Sequence, residues 1–212
     1  ENILKQKGGF ELEIIVGDDC STDNTPNIIE EFRTKYPKTI IVLPLEKNLG
    51  VMKNLKRCLN ACSGKYIAIC EGDDYWLDEN KLQKQIDFLE TRSDCSMCFS
   101  AILLYHEQEN FFEAHHAQSL LQKDAITLED LIENNYIGNF SCCMYRADIV
   151  KKLPREIYDL NTVDWMFNMA CAQSGSIGFI QDQMCVYRLH ANGAWTGKDI
   201  FEQLEGICEY ID

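Results

Sequence analysis

The chain has 212 residues, 46% hydrophobic and 25% charged, with a formal net charge of −14. A chain of this length buries roughly 70% of its unfolded surface and needs no disulfide staple, and its composition excludes collagen, coiled coil and intrinsic disorder. So acidic a chain repels nucleic-acid phosphates, which sets a nucleic-acid partner aside. No charged-then-apolar leader and no apolar run near the ~20 residues that span a bilayer is visible. The 11 Cys are odd in number and irregularly spaced. Cys58, Cys62, Cys70, Cys171 and Cys185 sit in apolar patterns and read as small hydrophobes, in a reduced, cytoplasmic setting. Cys95 and Cys98 form a C-x-x-C with no second pair or suitably spaced His, and they read as core.

Leu12 to Val16 is an apolar run that stops at Gly17-Asp18-Asp19. It reads as a buried strand entering a polar loop. Ser21 to Asn24 offer N-caps, Pro26 suits a first helical turn, and Tyr36-Pro37 ends that helix. A strand over 39–43, a turn at Asn48-Leu49-Gly50 and a helix carrying Met52, Leu55, Leu59 and Cys62 follow. Tyr66 to Cys70 is a third strand, ending at Glu71-Gly72-Asp73-Asp74, and a helix is expected over 78–91. This alternation predicts an α/β fold with a mixed, mostly parallel, Rossmann-like sheet and helices on both faces. The second half is less regular. It reads as a strand over 96–105, a polar loop or loose hairpin over 106–123, a short helix over 128–132 and a strand over 140–145. A helix over 163–172, strands over 177–180 and 184–189, and a terminal helix over 201–210 complete it.

Both acidic clusters fall at strand ends, where ligands bind in open sheets of this kind. Adjacent carboxylates repel each other, and a divalent cation is the usual compensation. The competing reading is a solvated turn. The glycine-rich dinucleotide fingerprint and the P-loop are absent. A bound diphosphate would therefore be neutralised by a metal and by side chains.

These residues resemble a known family. Ile15-Val16-Gly17-Asp18-Asp19-Cys20-Ser21-Thr22-Asp23-Asn24-Thr25 is similar to the V-D-D-x-S-x-D-x-T signature of family 2 glycosyltransferases with the GT-A fold. Lys47-Asn48-Leu49-Gly50 with Asn54 resembles their N-x-G stretch, and the run from Lys65 to Trp76 the segment with their metal-binding D-x-D motif. Val163-Asp164-Trp165 resembles their late acidic motif. Tyr187-Arg188-Leu189-His190-Ala191-Asn192-Gly193-Ala194-Trp195 resembles the Y-R-x-H stretch of many bacterial members. In this order the motifs are jointly specific, although each alone is weak.

The resemblance implies a single GT-A domain over 1–212, with a nucleotide-sugar half at 1–100 and an acceptor-side half at 101–212. It implies inverting transfer from a nucleotide-sugar, a UDP-sugar, to the hydroxyl of a saccharide or lipid-linked glycan, with Mn²⁺ or Mg²⁺ as cofactor. Asp19 would accept from the uracil ring, beside Asp18, Asn48 and Asn54. Asp73 would touch the ribose or sugar, and Asp74 and His190 would ligate the metal. Glu71 stands where relatives carry the first Asp of the motif. Arg188 would meet the diphosphate, or else form a strand-end ion pair. Asp164 would be the catalytic base, and it also suits a helix N-cap. Trp76, Trp165 and Trp195 would stack on sugars or simply pack. His106, His115 and His116 read as surface residues, and Asn139-Phe140-Ser141 as a sequon without a role.

Members of the family begin with a further strand–helix unit. The first strand is expected to be missing here, with roughly 20–30 residues of one such unit. Peripheral membrane contact at the inner face of the cytoplasmic membrane is a further expectation. Two other readings stand beside the transferase. One is a non-catalytic saccharide- or nucleotide-binding module. The other is a sugar-nucleotide pyrophosphorylase, whose Gly-rich, Arg-containing N-terminal loop this chain lacks.

Overall fold

The computed structural model describes residues 1–119, 121–159, 164–191, 193 and 197. The expected terminal helix over 201–210, and Asn192, Ala194 and Trp195 of the late motif, lie outside the described residues.

The first strand, β1 (Ile14–Val16), pairs in parallel with β2 (Ile40–Val42). The crossover between them is α1 (Thr25–Lys35), which opens with Pro26 in its first turn. It stops at Tyr36 because a residue before proline is pushed out of the helical region. Next, α2 (Val51–Ala61) buries Met52 and Leu59, seven residues apart and so on one helix face. Gly50 precedes it at φ +82°, a left-handed conformation that favours glycine.

A larger sheet takes the rest. Its strands are β3 (Tyr66–Ala68), β4 (Tyr75–Trp76), β5 (Cys95–His106), β6 (Phe111–Ala114), β7 (Ala125–Ile126), β8 (Cys143–Arg146) and β9 (Ser176–Leu189). Between them lie α3 (Lys81–Thr91), α4 (His116–Ser119), α5 (Leu128–Glu133), α6 (Ala147–Val150) and α7 (Asp164–Ala172). Short 3-10 turns occupy Phe140–Cys142 and Arg155–Tyr158. The order is β3-β8-β5-β9-β4, with β6 on β5 and β7 on β9.

This order corrects the mostly parallel sheet expected from the sequence. In the larger sheet β5–β9 is the parallel pair, whereas β3–β8, β4–β9, β5–β6, β5–β8 and β7–β9 are antiparallel. The strand–helix alternation reflects only the first half of the chain. Later strands return by hairpins or slip between earlier ones, and hydrophobic periodicity carries no record of strand direction. Other boundaries move too. The two expected strands over 177–180 and 184–189 are one strand, which shifts register against β5 between Ser100 and Ile102. The polar stretch after His106 forms a hairpin through β6. The expected strand over 140–145 begins as a 3-10 turn.

The core gathers around β5, whose first eight residues are all buried. Phe167 of α7 lies edge-on to Phe140, Tyr145 and Tyr158. Lys81 is fully buried but not stranded. Its ammonium reaches Gln85 Oε1 at 2.8 Å and lies 4.3 Å from the centre of the Trp76 ring. The described cysteines are all free thiols. Among the described residues no helix is long and apolar enough to cross a membrane. A cleft of about 840 Å³ runs beside β1 and β3.

Candidate active site

The loop after β1 is built by α2. A Cβ on Gly17 would stand 2.2 Å from the Cys58 sulfur, so only glycine lets α2 approach so closely. Asn54 donates to the Gly17 carbonyl at 2.7 Å and accepts from Arg57 Nε at 2.7 Å. Arg57 in turn donates to the carbonyls of Asp18, Leu43 and Pro44, clasping the ends of β1 and β2 together. Asp19 accepts from the Leu49 and Gly50 N–H groups at 2.8 and 2.9 Å, one on each oxygen. Each oxygen keeps a second acceptor site. Asn48 donates to the Asp19 carbonyl at 2.9 Å. Asp18 turns away and accepts from the backbone and hydroxyl of Ser21.

The loop after β3 meets this loop across the cleft, whose walls include Gly17, Asn54, Asp19, Glu71 and Asp73. Asp74 is held most firmly. One oxygen accepts from Asn139 Nδ2 and Ser141 Oγ, both at 2.6 Å, and the other from the Arg188 N–H at 3.1 Å. Burial pushes its carboxyl up to about 6 against those hydrogen bonds. Ser141 also accepts from the Glu71 N–H at 3.0 Å, and its carbonyl accepts from the Trp76 indole at 2.9 Å. Asp73 Oδ2 stands 3.1 Å from His190 Nε2.

The remaining groups feel one another through their charges. Burial first, and then Asp74, Asp164 and Asp73, lift the Glu71 carboxyl to about 8. Asp164 opens α7 and accepts from the Trp165 N–H at 2.7 Å, while burial lifts its carboxyl to about 6. Burial also raises the Tyr187 phenol, and carboxylates Glu71, Asp164, Asp74 and Asp73 add to the shift. Four carboxyls, a phenol and an imidazole from three parts of the chain therefore share one basin.

The other expected site residues are placed as follows. Arg188 pairs with Glu107 through its guanidinium, the strand-end ion pair weighed above. Trp165 donates to the Leu131 carbonyl. His106 pairs with Glu113. Asn139 is 3% exposed, so this sequon is not a surface acceptor but part of the site. Asn139, Ser141 and Arg57 hold the candidate site's loops by hydrogen bonds, and the sequence reading missed them. The signal for the first two was polar residues inside an otherwise apolar stretch.

Among the described residues no three His, Cys, Asp or Glu side chains form a ready metal cage. The donor set still suits a hard cation in part. Asp73 and His190 form a close acidic–imidazole pair, and the carboxyls around them repel one another, which a cation would relieve. Asp74 suits the cation less well, since both its oxygens already meet protein donors.

An α/β fold of this type, with two acidic loops meeting at one cleft, is that of the GT-A glycosyltransferases. The match to the model of the family "Glycosyl transferase family 2" spans residues 1–154, and the chain belongs to that family. Among curated relatives, the uncharacterized protein Rv1520 of Mycobacterium tuberculosis is 33% identical over 195 residues, 92% of this chain and 55% of its own. The putative teichuronic acid biosynthesis glycosyltransferase TuaG of Bacillus subtilis is 32% identical over 130 residues, 59% of this chain and 47% of its own. The chain thus spans about half the length of the curated relatives it matches. Two solved structures share the fold. S. aureus TarS 1–349 with UDP has a TM-score of 0.67 at 22% identity, over 99% of this chain and 59% of that one. The mannosyltransferase PcManGT of Pyrobaculum calidifontis with GDP-Man and Mn²⁺ has a TM-score of 0.68 at 16% identity, over 91% of this chain and 52% of that one.

Proposed function

We propose that this chain transfers a sugar from a nucleotide-sugar, a UDP-sugar, to a glycan hydroxyl with inversion at the anomeric carbon. The observation that carries this reading is the convergence of Asp164, Glu71, Asp73 and Asp74 on one basin beside the Asp19 loop. Family membership sets the class of reaction, and the TarS complex with UDP is consistent with the donor.

Asp164 takes the proton of the acceptor hydroxyl as that oxygen attacks. A carboxyl lifted to about 6 is a stronger base than a free one and is still ionised at neutral pH. Such help is worth roughly 10²–10⁴-fold. Asp19 receives the N–H of the base ring on its open acceptor sites. Asp73 and His190 would hold Mn²⁺ or Mg²⁺, which when bound would supply positive charge for the departing diphosphate. Asp74 fixes the loop from behind. The acceptor is a saccharide or lipid-linked glycan of surface-polymer type, in line with the TuaG description. The setting is the cytoplasm, at the inner face of the membrane where a lipid-linked acceptor requires it.

A panel of nucleotide-sugars with Mn²⁺ and saccharide acceptors, read as nucleoside diphosphate release, tests the proposal. Release that depends on both a UDP-sugar and an acceptor is expected. Binding of UDP and Mn²⁺ without turnover for any pair would overturn catalysis and leave a binding module.

A further inference from the structure

The hairpin that leads out of β5 carries two aromatic side chains into solvent. Phe111 and Phe112, the first residues of β6, are 43% and 51% exposed. Single exposed apolar residues are ordinary, whereas neighbouring ones at the rim of a site point to a ligand.

Strand register decides which ring faces the site. Residues directly opposite on paired strands share a face, and successive residues alternate between faces. Tyr187 of β9 stands opposite Leu104 of β5, which stands opposite Glu113 of β6. Leu189, His106 and Phe111 form the next row on that same face. Burial, and then the carboxylates of Glu71, Asp164, Asp74 and Asp73, raise the Tyr187 phenol, so this side chain is turned to the acidic basin. Glu113, His106 and Phe111 therefore extend the sheet face that the basin opens onto. Phe112 belongs to the row of Tyr105 and Arg188 and faces the other way.

The rings are held in place. Phe111 stacks on His106 with 4.2 Å between ring centres and 6° between planes. His106 Nε2 in turn stands 2.7 Å from Glu113 Oε1. On the opposite face Phe112 stacks on Tyr105 at 4.6 Å, and the Tyr105 hydroxyl donates to Asn110 Oδ1 in the turn at 3.0 Å. Glu107 ties the hairpin to the end of β9. Its N–H donates to the Leu189 carbonyl at 3.1 Å, and its carboxylate pairs with Arg188, whose own N–H holds Asp74.

With one face against His106, Phe111 offers the other to solvent, beside a carboxylate that keeps acceptor sites beyond its contact with His106. An apolar plate with a few polar groups at its edge suits a sugar ring, which has an apolar C–H face and a rim of hydroxyl donors. Charge narrows the choice. The stretch 105–114 carries Glu107, Glu109 and Glu113 and no Lys or Arg, so it repels phosphate- or carboxylate-bearing sugars and an anionic membrane surface. Distance sets the position. β6 lies two strand spacings from β9, about 10 Å, which is more than the breadth of one sugar ring.

We propose that Phe111, flanked by Glu113 and His106, is a subsite for an uncharged sugar ring of the acceptor, one unit behind the ring whose hydroxyl reacts. The acceptor is then at least a disaccharide. This assignment rests on the sugar transfer proposed above.

NMR of the 212-residue protein with isotope-labelled phenylalanine tests it, the Phe111 ring signals being identified by their loss in Phe111→Leu. Cellobiose, maltose, lactose and N,N′-diacetylchitobiose are titrated with UDP and Mn²⁺ present, against glucose, N-acetylglucosamine and a sulfated heparin disaccharide. At least one neutral disaccharide is expected to shift the Phe111 ring, with about tenfold tighter binding than its monosaccharide and than the sulfated sugar. Phe111→Leu should weaken that binding about tenfold. In transfer assays it should raise the KM of disaccharide acceptors by a similar factor, with the donor KM within twofold. A Phe111 ring that no neutral disaccharide moves, tighter binding of the sulfated sugar, or equal affinity in Phe111→Leu each overturns the subsite, even where transfer is observed. Disaccharide binding at Phe111 without turnover for any donor supports the sugar site and overturns the transfer reading instead. Ring shifts that follow protein concentration and not sugar assign the patch to a second copy and overturn the subsite.

Discussion

Ser141 donates its hydroxyl hydrogen to Asp74 and accepts the backbone hydrogen of Glu71, so one small side chain closes both ends of the acidic loop. Removing the oxygen takes one of three donors from the Asp74 carboxylate and leaves the Glu71 N–H without its acceptor. Ser141→Ala is expected to lose about 1–3 kcal/mol of stability. Its donor affinity should fall as well, because the loop is no longer held. Urea unfolding and calorimetry with UDP read the two effects, and unchanged values in both would remove Ser141 from the site.

Asp164 links activity and stability in opposite senses. Its carboxyl is raised from 3.8 to about 6, so the folded state prefers it protonated. Between those values the folded state binds more protons than the unfolded one. The stability this group confers is complete below about 4 and is lost as pH rises through about 6. The loss is on the order of 3 kcal/mol. Transfer should instead rise with pH through about 6. Asp164→Asn should cut turnover by at least ~10²-fold, leave UDP binding intact and erase the acid limb of the profile. It should also gain stability relative to the parent above pH 6. A variant with full turnover would rule Asp164 out as base.

In the proposed function Asp73 and His190, 3.1 Å apart, are the pair that would ligate the cation. Asp73→Ala and His190→Ala are each expected to weaken Mn²⁺-dependent UDP binding at least tenfold while leaving metal-free binding within twofold, as calorimetry with and without Mn²⁺ would show. Equal loss in both conditions would mean that the pair serves the nucleotide directly.

Arg57 spans three carbonyls with one planar guanidinium, a geometry that an ammonium cannot copy. Arg57→Lys should cost about 1–3 kcal/mol in unfolding free energy. The donor KM should rise with kcat less affected, because the residue shapes the Asp19 loop and not the reacting atoms. A fall in kcat alone would place Arg57 in the chemistry instead.

The parts of the molecule legible in the sequence are those written in local pattern. The helix of α1 follows from Pro26 and its stop at Tyr36-Pro37, and the acidic turns follow from apolar runs that end abruptly. Sheet direction was not legible, because β8 pairs with β3 and β5 through contacts set by the whole chain, not by its own four residues. The ionised and neutral forms of Glu71 and Asp164 depend on neighbours distant in sequence. The role of Asn139 and Ser141 was hidden for the same reason, since their partner Asp74 is 65 and 67 residues away.

The buried Trp76 gives the acidic loop a built-in optical probe. Its indole donates to the Ser141 carbonyl, lies next to the Lys81 ammonium and stands two residues from Asp74. A nucleotide or cation that shifts the loop changes the charge and polarity around that ring. The emission wavelength of Trp76 then reports occupancy directly, and a protein in which Trp165 and Trp195 are replaced by Phe would read binding at its own site without an added label.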